Sequence, residues 1–336
     1  LFFADFRDYQ NFAPIFGTAV FVIMIGSITL VPALFALFGR KAFWPKVPKY
    51  GEAKEVKHGI WGPVAKFVVN KPYLSGGLVL IFMLITSFNV LNLEYEYDTV
   101  KSFPEELPSR VGYEIVESRF DKGELAPTSL FVESEQPLTE EQKQALTEAL
   151  STEENIASVR TSAVSDDETK MKLSMAFDVS PYSPEAIEKL EDMRENSADY
   201  LAAAGIDGEL LFAGTTAKLV DERNVNNDDI IKIVVLETIL ILVLLFVLTK
   251  SWRMPIYMMA TILVSYLSAL GLGIFLVDAL FGYDAISTRV PVYAFIFLVA
   301  LGIDYNIILV SRFLEERKRM NVKEALEIAI RNTGGV

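Results

Sequence analysis

An α-helical integral membrane protein that carries one α+β domain outside the bilayer is the fold class this sequence predicts. Three observations predict it. Five stretches are long and apolar enough to cross a membrane, at about 14–38, 73–92, 230–249, 255–277 and 290–311. Charge is segregated: residues 94–229 hold 32 of the 44 acids and only 12 of the 31 Lys and Arg. That same block shows an alternation of strand and helix patterns that the apolar stretches lack. A mean hydropathy of +0.32 alongside 22% charged residues fits such a division and not an ordinary soluble domain.

Residues 1–38 end in the first span, which contains Pro32, a residue that a membrane helix tolerates as a kink. Residues 39–72 form a basic linker, with eight Lys and Arg between Gly39 and Lys71 against Glu52 and Glu55. A second span covers 73–93, and three more lie within 230–311. Lys250 and Arg253 sit between spans three and four, and "RFLEERKRM" follows span five. Basic connections stay on the cytoplasmic side, so 94–229 and the loop holding Asp278 and Asp284 are expected outside. Trp252 and Tyr283 are expected to anchor span ends at the membrane interface. Residues 312–336 contain "NVKEALEIAI", whose Val322, Ala325, Leu326 and Ala329 share a face. This predicts a cytoplasmic amphipathic helix, with Asn321 and Glu324 as its capping box.

Within 94–229, "TSLFVES" (128–134), "ASVRT" (157–161), "MKLSMAFDV" (171–179) and "ELLFAG" (209–214) read as strands. "LTEEQKQALTEAL" (138–150) reads as a helix capped by Thr139 with Gln142 three residues on. A second helix starts with Ser183 as its cap and Pro184 at its first position, and runs to Gly205. The order β-α-β-β-α-β is the ferredoxin-like one. A polar run after Gly214 leads directly into span three, predicting one long helix. The acidic surface serves solubility, or concentrates cations near the domain.

Several function classes are excluded by composition. There is no cysteine, so no thiolate metal site can be built, and the one histidine, His58, lies in a basic loop, so neither a zinc site nor a Ser-His-Asp triad is expected. No phosphate-binding glycine loop occurs. No enzymatic activity, cofactor or nucleic-acid partner is expected. The N-terminus has no initiator Met and no signal-peptide pattern, so the sequence reads as a piece of something longer.

The candidate functional residue is Asp304 in "ALGIDYNIILVSR". It lies eight residues before Arg312, about 12 Å from the cytoplasmic edge of its helix. A carboxylate that deep costs roughly 2.5–3.5 kcal/mol on insertion scales. It must be paired, protonated or face a water path, and a side chain that passes between such states moves protons. Tyr305 projects about 100° away from it, so the two need partners on other helices. Ala300 and Gly302 permit close approach on the same helix, and Ser265, Ala269 and Gly273 form a small-residue face on span four. Glu237, about two turns inside span three, is a possible secondary proton or ion pathway.

The run "LGIDYNIILVSRFLEERKRMNVKEALEIAIRNTGGV" resembles the MMPL transporters of the resistance-nodulation-division superfamily. Its pattern is G-x-D-Y, then S-R-F-x-E-E, then an amphipathic helix ending in N-T-G-G. The resemblance implies a partial RND-type fold with a porter-type outer domain, in the bacterial cytoplasmic membrane. Residues 1–38 would be the last helix of a first repeat, and the remaining spans helices seven to ten of twelve. It further implies that Asp304 and Tyr305 are half of an intramembrane proton relay, whose other half is a D-Y motif on helix four. The activity implied is proton-motive-force-driven export of lipids or other hydrophobic or amphiphilic compounds, with protons and membrane lipids as partners. Two other readings stay open: a sensor or assembly protein that keeps the fold for binding, and a helper of protein export.

Overall fold

Long helices with apolar surfaces and one small sheet account for most of the computed structural model, which describes residues 1–45, 47, 60–120 and 122–334. His58, Glu52, Glu55 and four of the eight bases in the 39–72 linker, Lys46, Lys49, Lys54 and Lys57, lie outside the described residues. In chain order the helices and strands are α1 (Arg7–Phe38), α2 (Trp61–Asn70), α3 (Pro72–Ser87), α4 (Pro108–Arg119), β1 (Thr128–Ser134), α5 (Glu140–Ser151), β2 (Ile156–Val164), β3 (Lys170–Phe177), α6 (Pro184–Glu195), α7 (Ser197–Ala203), β4 (Gly208–Ala213), α8 (Thr215–Thr249), α9 (Arg253–Phe281), α10 (Val290–Glu316) and α11 (Val322–Thr333). The chain divides into two units. One comprises Leu1–Leu93, Asp229–Asp284 and Arg289–Val336, the other Glu94–Asp228 and Ala285–Thr288.

In the first unit, five helices are long and apolar enough to cross a membrane: α1, α3 with the 3-10 turn that follows it, α8, α9 and α10. They overrun the apolar stretches read from sequence. The helix of α1 starts at Arg7 and runs through both Pro14 and Pro32. That of α9 continues to Phe281 and takes in Asp278, which the sequence reading put in a loop. Hydropathy marks the apolar part of a helix, whereas backbone hydrogen bonding continues until a residue such as Gly282, at φ +68°, turns the chain away. Helices α8, α9 and α10 pack through Ile241, Leu245, Met259, Ile262, Phe295 and Val299.

The amphipathic α11 packs against α10 and α2, with Ala325 and Ala329 buried on its inner face. Asn321 Oδ1 accepts from the Glu324 amide, which is the N-cap half of the expected capping box. The close fit extends to the helix end: a Cβ on Gly334 would lie 2.5 Å from the Trp61 ring, so only glycine admits the indole there.

The second unit holds a four-stranded antiparallel sheet in the order β2-β3-β1-β4. Leu130 pairs with Leu173 on one side and Phe212 on the other. Alternation then sends Leu130 and Leu173 into one core with Leu146 and Leu150 of α5 and Ile187 and Leu190 of α6. Thr139 makes the full capping box with Gln142, and Ser183 caps α6. The single helix expected up to Gly205 is instead broken at Asn196, whose Nδ2 donates back to the Asp192 carbonyl and carboxylate. An asparagine that bonds its own backbone competes with helix continuation. Residues 285–288 join this unit through Glu96 N to Ile286 O (3.0 Å) and Ile286 N to Glu94 O (2.9 Å).

The end of α5 is tied to α6 by Lys189 Nζ to Glu153 Oε2 at 2.5 Å. The Lys189 ammonium holds the Glu153 carboxyl below its ordinary value of 4.5. A depressed carboxyl stabilises the fold above its unfolded-state value and loses that contribution as pH falls through its folded one. Thermal melts of the full-length protein are therefore expected to show an acid-side loss beginning near pH 4.5. Glu153→Gln should be less stable at neutral pH and show a smaller loss on acidification.

Candidate functional site

The 27 residues of α10 extend about 40 Å at 1.5 Å per residue, enough to traverse the hydrocarbon core. One face is committed to packing. Phe295 and Val299 are buried against α8 and α9, with Ile303, Ile307 and Val310 alongside them. Tyr266 of α9 fixes the start of α10, its hydroxyl donating to Pro291 O (3.1 Å) and its ring meeting Phe295 edge-on. The opposite face is open. Phe297, Ala300, Leu301, Asp304, Tyr305 and Ile308 are all exposed there, Tyr305 at 63%. Neither Asp304 nor Tyr305 makes a hydrogen bond or ion pair with a described residue. The Asp304 carboxyl thus stands among exposed apolar side chains on this face of α10.

The residues grouped around Asp304 from sequence separate in the structure. Gly302 turns inward: a Cβ there would lie 3.3 Å from Ile262 of α9. Ala300 shares the open face with Asp304. On α9, Ser265 and Ala269 are exposed, the Ser265 hydroxyl donates to Thr261 O, and a Cβ on Gly273 would meet nothing within 4 Å. The close approach on α9 is made by residues offset from these. Ser268 Oγ shares a 2.7 Å hydrogen bond with Thr86 of α3, Asn89 Nδ2 donates to Gly271 O (3.0 Å), and the Gly271 Cα faces the Thr86 carbonyl directly. Glu237 on α8 is half-buried and has no hydrogen bond or ion pair with a described residue.

A second polar feature escaped the sequence reading. Asp229, at the polar-to-apolar transition of α8, is fully buried. Its two oxygens accept from the backbone amides of Asp5 and Phe6, at 2.6–2.9 Å, just before α1 begins. Helix α1 has no side-chain cap of its own, so a carboxylate from another helix meets its positive end. Lys232 bridges Asp229 and Asp5, and Arg289 at the start of α10 pairs with Asp8. Ala4, Tyr9, Ile233 and Val292 close an apolar cluster beside these pairs. The one sequence signal was an uncapped helix start, which says that a cap is needed but not where it comes from. Asp229→Ala is expected to destabilise the full-length protein by about 2–3 kcal/mol, since it strands two backbone amides at the start of α1 while Lys232 keeps Asp5. Asp229→Asn, keeping one acceptor oxygen, should fall between it and wild type in thermal unfolding in detergent.

Five helices long and apolar enough to cross a membrane, with a separate sheet-bearing unit between the second and third in chain order, define a multi-pass membrane protein. The MMPL family model matches residues 1–75 and 104–336, and the chain belongs to that family. It is 32% identical over its whole length to the apo-petrobactin exporter of Bacillus anthracis, covering 47% of that protein. It is 31% identical to putative membrane protein SCO5905 of Streptomyces coelicolor over 97% of this chain and 39% of that one. Over 54% of this chain it is 27% identical to the sulfolipid-1 exporter MmpL8 of Mycobacterium tuberculosis, covering 17% of that protein. The chain therefore spans less than half the length of these curated relatives.

Proposed function

We propose that this chain supplies one half of a proton-driven exporter that moves lipids or other hydrophobic or amphiphilic compounds across the bacterial cytoplasmic membrane, and that it is not an enzyme. The observation that carries the reading is Asp304, set among apolar residues on the open face of α10 without a partner on the described helices. An acid kept at that depth is functional by default. In the full-length protein a matching D-Y helix covers this face, and Asp304 and Tyr305 complete the relay with it. Two relatives are named as exporters, one of a sulfolipid and one of apo-petrobactin, which supports export as the activity.

Residues 94–228 form the extracytoplasmic domain in this reading. Their antiparallel order β2-β3-β1-β4 with connections β-α-β-β-α-β supports a ferredoxin-like, porter-type fold. Each proton entering supplies about 2.3 kcal/mol per 100 mV of membrane potential. Protonation of Asp304 removes a charge from the helix interface and biases its packing between two arrangements. Helix α8 is continuous from Thr215 to Thr249 and gives that change a stiff route out of the bilayer. Export by the full-length protein in vesicles with and without an imposed proton gradient, for wild type and Asp304→Asn, tests this. Wild-type export should follow the gradient and the variant's should not, and a variant that exports as wild type does would defeat the reading.

A further inference from the structure

Basic side chains are treated differently in different parts of this chain. Within 94–229, nine of the twelve Lys and Arg are in ion pairs, so that acidic unit largely neutralises its own cations. Two connections at the other end of the spans do the opposite, unlike the segment that follows them on that side, where Arg312 pairs with Glu315 and Glu316 and Arg331 with Glu327. Lys41 follows α1, Lys66 and Lys71 lie on and after α2, and Lys250 and Arg253 join α8 to α9. All five are exposed, and none forms an ion pair with a described residue. Described residues 39–45, 60–93 and 249–253 contain no acid at all. Successive spans alternate sides, so these two connections share one side of the membrane.

The same segments hold all three tryptophans of the chain. Trp44 is 81%, Trp61 42% and Trp252 64% exposed, and Arg253 lies over the Trp252 ring at 5.2 Å. Helix α2 is two-faced. Ala65 and Val69 are buried and the helix packs on α11, while Ile60, Trp61, Pro63, Lys66 and Phe67 are exposed. Amphipathic indoles beside cations and exposed apolar side chains match the layered chemistry of a lipid headgroup region.

We propose that α2 and the flanking connections, through Lys66, Lys71 and Arg253, form a binding surface for anionic phospholipid headgroups. Cations set topology wherever they stand, but that role does not call for exposed aromatic and aliphatic side chains beside them on a short helix outside the spans. The committed occupant is the phosphodiester of an anionic lipid. The ammonium groups and the guanidinium meet the phosphate, and Trp61 and Phe67 enter the layer beneath. The surface is independent of the proton relay.

The test uses the full-length protein, delipidated in detergent and supplied with equal amounts of phosphatidylglycerol and phosphatidylcholine of the same acyl chains. Lipid carried through gel filtration is counted by mass spectrometry. Wild type is expected to retain phosphatidylglycerol in preference, and each cation removed should lower that preference up to roughly fivefold. Lys66→Gln/Lys71→Gln/Arg253→Gln should lose most of it, whereas Lys66→Arg/Lys71→Arg should keep it. Equal retention of the two lipids by wild type, or an undiminished preference in the triple Gln variant, overturns the proposal. Should the triple variant fail to insert, wild type decides alone: its preference must fall as salt rises from about 0.05 to about 0.5 M, and a preference indifferent to salt overturns the proposal equally.

Discussion

Asp304→Asn in the full-length protein is expected to reduce export to the background of cells that lack the protein, while leaving membrane insertion intact. The substitution preserves shape and polarity and removes only the ability to gain and lose a proton. Because the side chain lies on the open face of α10 and bonds to no described residue, the packing of α8, α9 and α10 through Ile262, Phe295 and Val299 is untouched. Efflux of a fluorescent lipid or dye, normalised to protein in the membrane, is the measurement. Unchanged efflux would remove the relay from the mechanism and leave a sensor or assembly role. Tyr305→Phe should cost less, since it takes away one hydroxyl and leaves the titrating group in place.

Gly271→Val is expected to cause the largest loss of stability, on the order of 3 kcal/mol or more. A Cβ at this position would stand 2.2 Å from the Thr86 carbonyl oxygen, a backbone atom that cannot swing aside. Helix α3 must then leave α9, and the Thr86–Ser268 and Asn89–Gly271 hydrogen bonds go with it. Membrane helices depend on such close contacts because lipid gives them no hydrophobic drive to associate. Gly273→Ala, two residues along the same helix, is the control: its Cβ meets nothing within 4 Å, and alanine favours helix. The temperature at which half the detergent-solubilised protein stays soluble after heating should drop for Gly271→Val only. A Gly271→Val protein as stable as Gly273→Ala would refute the contact.

Particular residues show where sequence reasoning succeeds. Thr139 and Gln142 make the capping box their spacing predicts, because both halves of that motif lie within four residues. The four strands appear where β-branched and apolar residues alternate, since period-two patterning is itself the signature of a half-buried strand. Ser265, Ala269 and Gly273 show the limit. Their spacing places them along one side of α9, yet the partner helix meets Ser268 and Gly271. Asn196 shows another: helix propensity there is opposed by a side-chain hydrogen bond, and the outcome depends on how α6 and α7 pack.

The sequence by itself determined the five apolar helices, the segregated acidic block, the order of its four strands with helices between the first and second and between the third and fourth, and the presence of an acid within a long apolar helix. Each is a local or compositional property, set by hydropathy over about 20 residues or by periodicity within one element. Only the tertiary structure decided which face of α9 meets α3, that Asp229 caps a helix more than two hundred residues away, and that Asp304 looks outward rather than toward α8 or α9. The physical reason is common to all three. Periodicity fixes the angle between side chains on one helix, but the rotation of that helix against its neighbours is set by where backbones can approach and where buried polar groups find partners.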